Sequence, residues 1–216
     1  MRVVLIAAKL RALAKTRLRP ALPAANERSS LAEAMFRDVL SAALDARTAE
    51  RVAVVTCDPE LTSLARSTGA IVINEEYPRG LNFAVRLATA ELIAAGATCT
   101  CTLLSDIPLV TGDDIDAAFA AMPEEQRAVA LVPSRDFSGT NIIVRRPPDV
   151  IATQFGRFSL VRHLDDCRQR AIACRLIRLE RPALDLDVPA DLQEFERTHS
   201  TTHTQAHLAR LSFAQG

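Results

Sequence analysis

The sequence predicts an α/β fold: one domain with a mostly parallel central sheet and helices on both faces. Three observations point there. Apolar runs such as VVLIAA (3–8), VAVVT (52–56) and AVALV (128–132) are continuous rather than alternating, the pattern of strands buried on both faces. Segments with apolar residues at helical spacing separate them. The length, 216 residues, suits one large core better than two small ones.

The elements follow in order. VVLIAA is the first strand, and KLRALAKTRLRPALP (9–23) is a basic, irregular loop. Leu31–Ala46 repeats apolar residues at helical spacing, and VAVVT is the second strand. Asp58-Pro59 supplies an N-cap with Pro at the first helical position, and Gly69 ends that helix. AIVIN (70–74) is a third strand. The loop EEYPRG leads to Gly80, and Leu81–Ala95 forms a helix closed by Gly96. TCTCTLL (98–104) is the fourth strand, Asp113–Ala121 a short helix and AVALV the fifth strand. TNIIV (140–144) suits an antiparallel strand, and the double Pro at 147–148 breaks the chain. RFSLVRHLDDCRQR (157–170) reads as helix and CRLIRL (174–179) as strand. ALDLDVPADLQEFERT (183–198) passes from a short strand into a helix begun by Pro189. Residues 1–197 thus make the domain. Residues 198–216, with three of the four histidines, make a polar tail expected to fray.

Charge is balanced, 26 basic against 26 acidic residues, so no long-range field draws the chain to nucleic acid or anionic lipid. No apolar run approaches the ~18 residues of a membrane span, and VVLIAA is too short for a signal peptide, so a cytoplasmic location is expected. The five scattered cysteines read as reduced thiols, and none has partners at metal-ligand spacing. Only two of the 26 basic residues are lysine, Lys9 and Lys15, and both lie in the loop after the first strand. An ammonium is a compact point charge often used against phosphate.

In a parallel sheet, ligands bind outside the carboxyl ends of the strands. Lys9, Gly80 and Asp106 follow strands on that edge. Asp106 ends an apolar strand with Ile-Pro behind it, and LDLDVP repeats the form with Asp185 and Asp187, which share a face if that segment is a strand. Taken alone, Asp106 reads as a turn or capping residue and Asp187 as a cap for the helix after it. Taken together on neighbouring strands, carboxylates repel strongly unless a cation or a proton sits between them. Oxygen-only ligands favour Mg²⁺, which takes few carboxylates, several waters and a substrate phosphate. The loop holding Lys9, Arg11, Lys15, Arg17 and Arg19 then suits a polyphosphate. It lacks the glycine spacing of a P-loop, and no GxGxxG supports a dinucleotide. The set suits phosphoryl or nucleotidyl transfer, in which positioning and charge carry the rate. His163, on an amphipathic helical stretch, reads as structural or interfacial.

AKTRL, RGLNFAV, LLSDIPLV, SGTNIIV, FGRFSLVRH and ALDLDVPADL occur in one order over residues 2–196. That order resembles the 2-phospho-L-lactate guanylyltransferase family, whose bacterial members include phosphoenolpyruvate guanylyltransferases. The resemblance implies a single-domain nucleotidyltransferase fold related to the sugar-nucleotide enzymes. It also implies transfer of GMP from GTP to a phosphorylated three-carbon acid, with pyrophosphate release, in coenzyme F420 biosynthesis. Carried over by position, Asp106, Asp185 and Asp187 look like Mg²⁺ ligands, with Lys15 and Asp106 catalytic. Lys9, Lys15 and Arg17 look like triphosphate contacts, and Gly80, Leu81 and Asn82 like the turn approaching guanosine. Thr140, Gly156 and Ser159 match positions that hold the phospho-acid. Between Gly156 and Ser159 the family commonly has Pro and a small or acidic residue, whereas Arg157 and Phe158 stand here. Phosphoenolpyruvate, 2-phospho-L-lactate and 3-phospho-D-glycerate are therefore all candidate acceptors. A homodimer and hand-over to a downstream deazaflavin transferase are further expectations. The rival readings are another nucleotidyltransferase or glycosyltransferase of the same fold, or a non-catalytic nucleotide-binding protein.

Overall fold

The computed structural model describes residues 1–214. Seven strands form one sheet: β1 Arg2–Ala7, β2 Arg51–Thr56, β3 Ile71–Asn74, β4 Cys99–Leu104, β5 Ala128–Pro133, β6 Thr140–Arg146 and β7 Ala173–Leu176. The helices are α1 Ala25–Asp45, α2 Pro59–Ser67, α3 Leu81–Ala94, α4 Gly112–Ala120, α5 Ser159–Gln169, α6 Glu180–Ala183, α7 Pro189–Glu196 and α8 His203–Ala214. The sheet order is β3-β2-β1-β4-β6-β5-β7. Only β6 runs against the others, antiparallel to both β4 and β5, so the predicted mostly parallel α/β fold is the observed one.

Two apolar layers cover the sheet, because alternate residues of each strand face opposite sides. Val4, Ile6, Val54, Cys101 and Leu103 pack with Phe36, Val39 and Ile115 on one face. Val3, Leu5, Val55 and Leu131 pack with Val85, Leu92 and Leu160 on the other. A third cluster lies beyond the carboxyl edge and joins Leu18, Leu31, Met35, Leu184, Leu186, Phe195 and Leu208. No described helix is long and apolar enough to cross a membrane. All five cysteines are free thiols.

Register aligns the strand ends that matter. Ala7 pairs with Val55 on one side and Leu104 on the other, and Thr56 pairs with Asn74. The segments after β1, β2, β3 and β4 therefore emerge on one edge. Because β6 is reversed, it begins at that edge, with Thr140.

The structure corrects three expectations. Residues 183–187 form no sheet strand; the segment is held to the strand-end loop by the bond from Leu186 N–H to the Asp106 carbonyl, 3.0 Å. The helix expected from Leu31 begins six residues earlier, at Ala25. And the expected frayed tail is helix α8 over residues 203–214; Gln215 and Gly216 lie outside the described residues. The Asp38 carboxylate on α1 accepts from His203 N–H (2.7 Å), Thr204 N–H (2.9 Å) and Thr204 Oγ1 (2.6 Å), capping α8 from a distant element. A cap supplied 165 positions away leaves no local mark in the sequence.

Candidate functional site

The loop after β1 is braced at its base. Asp58 caps α2 by accepting from Glu60 and Leu61 N–H, and it also accepts from the backbone N–H of Arg11 at 2.9 Å. The Arg11 guanidinium is held by Asp58, Glu33 and Glu60. Arg11 thus ties the loop to α1 and α2 and is not one of its free cations. Two 3₁₀ turns follow, Arg11–Leu13 and Thr16–Leu18. Lys15 between them has φ 55°, a left-handed conformation that costs a non-glycine residue about 1 kcal/mol or more. The fully buried Leu18 anchors the far end in the third cluster.

This strained turn drives the Lys15 ammonium between two carboxylates. Its Nζ lies 2.7 Å from Asp106 Oδ2 and 2.9 Å from Asp187 Oδ1, with the side chain only 6% exposed. Burial opposes the charge, but the two carboxylates outweigh it and hold the lysine pKa above its ordinary value. Burial likewise pushes Asp187 up, and Lys15, with help from Lys9 and Arg17, pulls it below the usual carboxylate range. Arg17, largely exposed, has Nη1 3.7 Å from Asp187 Oδ2.

Asp185 and Asp187 reach the site because their segment is extended: Leu184 and Leu186 are buried in the third cluster, and the alternate residues face outward. The helix after them takes its cap elsewhere, since Asp191 Oδ2 accepts from the N–H groups of Asp187 and Val188. The Asp187 carboxylate is thus free for the site. Asp185 receives a bond from the Asn141 amide at 3.3 Å. Burial, then the charges of Asp106 and Asp187, raise its pKa to about 6.

The buried ammonium meets two of the three carboxylates, Asp106 and Asp187, and Asp106 Oδ1 is buried without a hydrogen-bond partner. An unpaired buried carboxylate oxygen is costly unless a cation or donor meets it. Among the described residues no three acidic, histidine or cysteine side chains converge into a ready-made metal cage. An oxygen-only set of few carboxylates nevertheless fits Mg²⁺, which keeps waters and substrate phosphates in its shell. Asp106 and Asp185 would be the residues to hold it: Lys15 takes Oδ2 of Asp106 and leaves Oδ1 unpaired, whereas Lys15 and Arg17 face both oxygens of Asp187.

A crevice of about 690 Å³ runs along this edge. Its lining includes Lys9, Lys15, Arg17, Leu81, Asp106, Asp185 and Asp187 together with Thr140, Gly156, Arg157 and Ser159. Gly156, at φ 115°, makes the turn that starts α5, whose first residue is Ser159. Ser159 Oγ accepts from Thr140 N–H at 2.9 Å. His163 accepts at Nε2 from Gln154 N–H, 2.8 Å, so its Nδ1 carries the proton and donates to Thr140 Oγ1 at 3.0 Å. Both hydroxyl protons are left to point elsewhere. His163, expected to be structural or interfacial, is structural support for the Thr140 hydroxyl, a link legible only once β6 and α5 are adjacent.

Asn82 stands apart from the predicted set. Its amide bonds reciprocally with Phe155, donating to the carbonyl at 3.0 Å and accepting from the N–H at 2.7 Å. It works as a strut between α3 and the loop before α5, while Gly80 (φ 97°) and Leu81 line cavity wall. Asn141 is a site residue that the sequence did not single out, although it directly follows Thr140 in SGTN.

Residues 1–215 match the family model described as "Guanylyl transferase CofC like". A phosphoenolpyruvate guanylyltransferase of Sphaerobacter thermophilus is 40% identical over 181 residues, covering 84% of this chain and 86% of that protein. A 3-phospho-D-glycerate guanylyltransferase of Phenylobacterium zucineum is 37% identical, covering 79% of each. Among solved structures, a cytidylyltransferase from Leptospira borgpetersenii shares the fold, with a TM-score of 0.64 at 12% identity, covering 99% of this chain and 93% of that one.

Proposed function

The chain belongs to the CofC-like guanylyl transferase family and is a nucleotidyltransferase, and from that premise we propose that it joins GMP from GTP to a phosphorylated three-carbon acid in the cytoplasm, releasing pyrophosphate. The acid is phosphoenolpyruvate, 2-phospho-L-lactate or 3-phospho-D-glycerate. The product is the guanylylated precursor that a downstream deazaflavin transferase consumes in coenzyme F420 biosynthesis. The observation that carries the reading is the Lys15 ammonium held between Asp106 and Asp187, at the start of a crevice that continues to Thr140 and Ser159.

An oxygen of the acid's phosphate attacks the α-phosphorus of GTP. The bond from that phosphorus to the β-phosphate bridging oxygen breaks, and pyrophosphate leaves with the electron pair. A phosphate monoester with a second pKa of about 6 is already a dianion at neutral pH, so the attack requires no base. Bound Mg²⁺, taken by Asp106 and Asp185, supplies neutralisation of phosphate oxygens. The exposed Lys9 and Arg17 draw the triphosphate in, and Lys15, already desolvated and fixed, offsets charge as it develops on the leaving group. The Thr140 and Ser159 hydroxyls and the N-terminus of α5, which has no side-chain cap, orient the anionic acid. Arg157, stacked 4.6 Å from the Phe158 ring, adds a cation at the acceptor end.

The test is pyrophosphate release by the purified protein with GTP and Mg²⁺. Each of the three acids is offered separately, with ATP and CTP as controls. Release with GTP and one acid supports the reading and names the acceptor. Silence with all three, in protein shown to bind GTP, refutes it.

A further inference from the structure

We infer that Glu75 selects guanine, in a small cavity beside the crevice that receives the base edge-on to a buried carboxylate; the inference rests on the guanylyl-transfer reading. The cavity holds about 110 Å³ and lies on the β2–β3 side of Lys9. It shares Ala7, Lys9, Leu13 and Leu81 with the large crevice, so a nucleotide whose phosphates lie at the β1 loop reaches it without leaving the sheet edge. Leu10, Pro78, Leu81 and Ala84 make its walls apolar, which suits the faces of an aromatic heterocycle.

Glu75 is the one carboxylate in that lining and is only 9% exposed. Its backbone N–H bonds to the Thr56 carbonyl at 3.1 Å, continuing the β2–β3 pairing one residue past β3. Its Oε1 accepts from the N–H of Arg79 at 3.0 Å, which fixes the side chain. Among the described residues no ion pair reaches it. The nearby Arg79 guanidinium is stacked on the rings of Tyr77 (4.3 Å) and Phe83 (4.8 Å) instead. Among the described residues no hydrogen bond reaches Oε2, so the carboxylate keeps acceptor capacity toward the cavity, where donors of a ligand can meet it.

The chemistry of the bases then decides which one. Guanine presents N1–H and the N2 amino group side by side, a donor fork that a carboxylate meets with two charge-assisted bonds. Adenine and cytosine place an acceptor nitrogen beside their amino group, so either would set a lone pair against the carboxylate. The site thus rewards guanine and repels the alternatives, and buried polar groups left unpaired are what make such discrimination large.

The test compares equilibrium binding of GTP, ITP and ATP to wild type and Glu75→Gln, with transfer measured alongside. ITP is guanosine triphosphate without the N2 amino group. Wild type should bind GTP about 10-fold or more tightly than ITP, and more tightly still than ATP. Glu75→Gln should weaken GTP about 100-fold and close the gap to ITP, with unchanged thermal unfolding. If the Gln protein unfolds early, Glu75→Asp, which keeps the charge but withdraws it, should still lose preference for GTP over ITP. Equal binding of GTP and ITP by wild type, or a preference that survives in a folded Glu75→Gln protein, overturns the inference. Guanine-selective binding without transfer to any acid would leave the inference standing and remove the proposed reaction.

Discussion

Asp106→Asn separates the chemical role of this carboxylate from its structural one. The substitution keeps the side-chain shape and removes one charge. Asp106 Oδ2 accepts a charge-assisted bond from Lys15 at 2.7 Å, while Lys15 keeps its second partner, Asp187, at 2.9 Å. A bond of that type contributes about 1.5–3 kcal/mol net, and a neutral carbonyl in its place retains roughly half. The loss is therefore about 1 kcal/mol. Relief of repulsion among Asp106, Asp185 and Asp187, the repulsion that helps raise Asp185, offsets part of it. For a chain of this length the melting temperature should fall by no more than about 2–4 °C. Activity should suffer far more than stability. Removing a charged group that acts at the reacting phosphates should cost a factor of about 10²–10³, or 2.7–4 kcal/mol, as deletion of one preorganised electrostatic contact does elsewhere. Thermal unfolding and pyrophosphate release, measured on the same preparation at ordinary magnesium, check the two arms. Transfer within tenfold of wild type would refute the role given to Asp106. A fall of more than about 10 °C would show that the Lys15 pair is chiefly a structural brace.

Other outcomes follow from the same geometry. Burial, then the charge of Arg145, depresses the His163 pKa to about 4, so the unfolded chain binds its proton first as pH falls. The contribution of His163 to stability should then rise with pH by about 3 kcal/mol between about 4 and 6.5, opposed by Asp185, whose raised pKa favours the fold as pH falls through 6. Denaturant unfolding at about pH 7 and pH 5 should show wild type gaining more stability with pH than His163→Gln, in which the Asp185 contribution is unchanged; equal gains would contradict it. Asn82→Ala cuts the reciprocal pair with Phe155 and frees the loop that carries Gly156. It should raise the KM for the acid several-fold, by about 1 kcal/mol of lost positioning, and leave the KM for GTP nearly unchanged. A larger effect on GTP would put Asn82 on the nucleotide instead.

The edge that carries the crevice was readable because strand ends are local events. Lys9, Asp106 and Gly80 each follow an apolar run, and the rule that ligands gather at carboxyl strand ends is enough to group them from chain position alone. The division of labour within the basic loop was not readable. Arg11, Lys15 and Arg17 look alike in sequence, yet Arg11 is bound by Asp58, Glu33 and Glu60, Lys15 is buried between carboxylates, and Arg17 stays largely exposed. Each of those partners comes from another element.

Hydrophobic period and strand punctuation act over a few residues, so the local pattern of the chain was enough for the fold class, the sheet edge that carries the crevice and the residue types gathered there. Tertiary structure alone decided which charge meets which. The buried Leu184 and Leu186 turn Asp185 and Asp187 toward the site, and the left-handed turn at Lys15 carries its ammonium to them. The α1 carboxylate of Asp38 likewise makes a helix of the polar tail. Those outcomes depend on groups tens to hundreds of positions apart, whose burial and distance exist only once the chain has closed on itself.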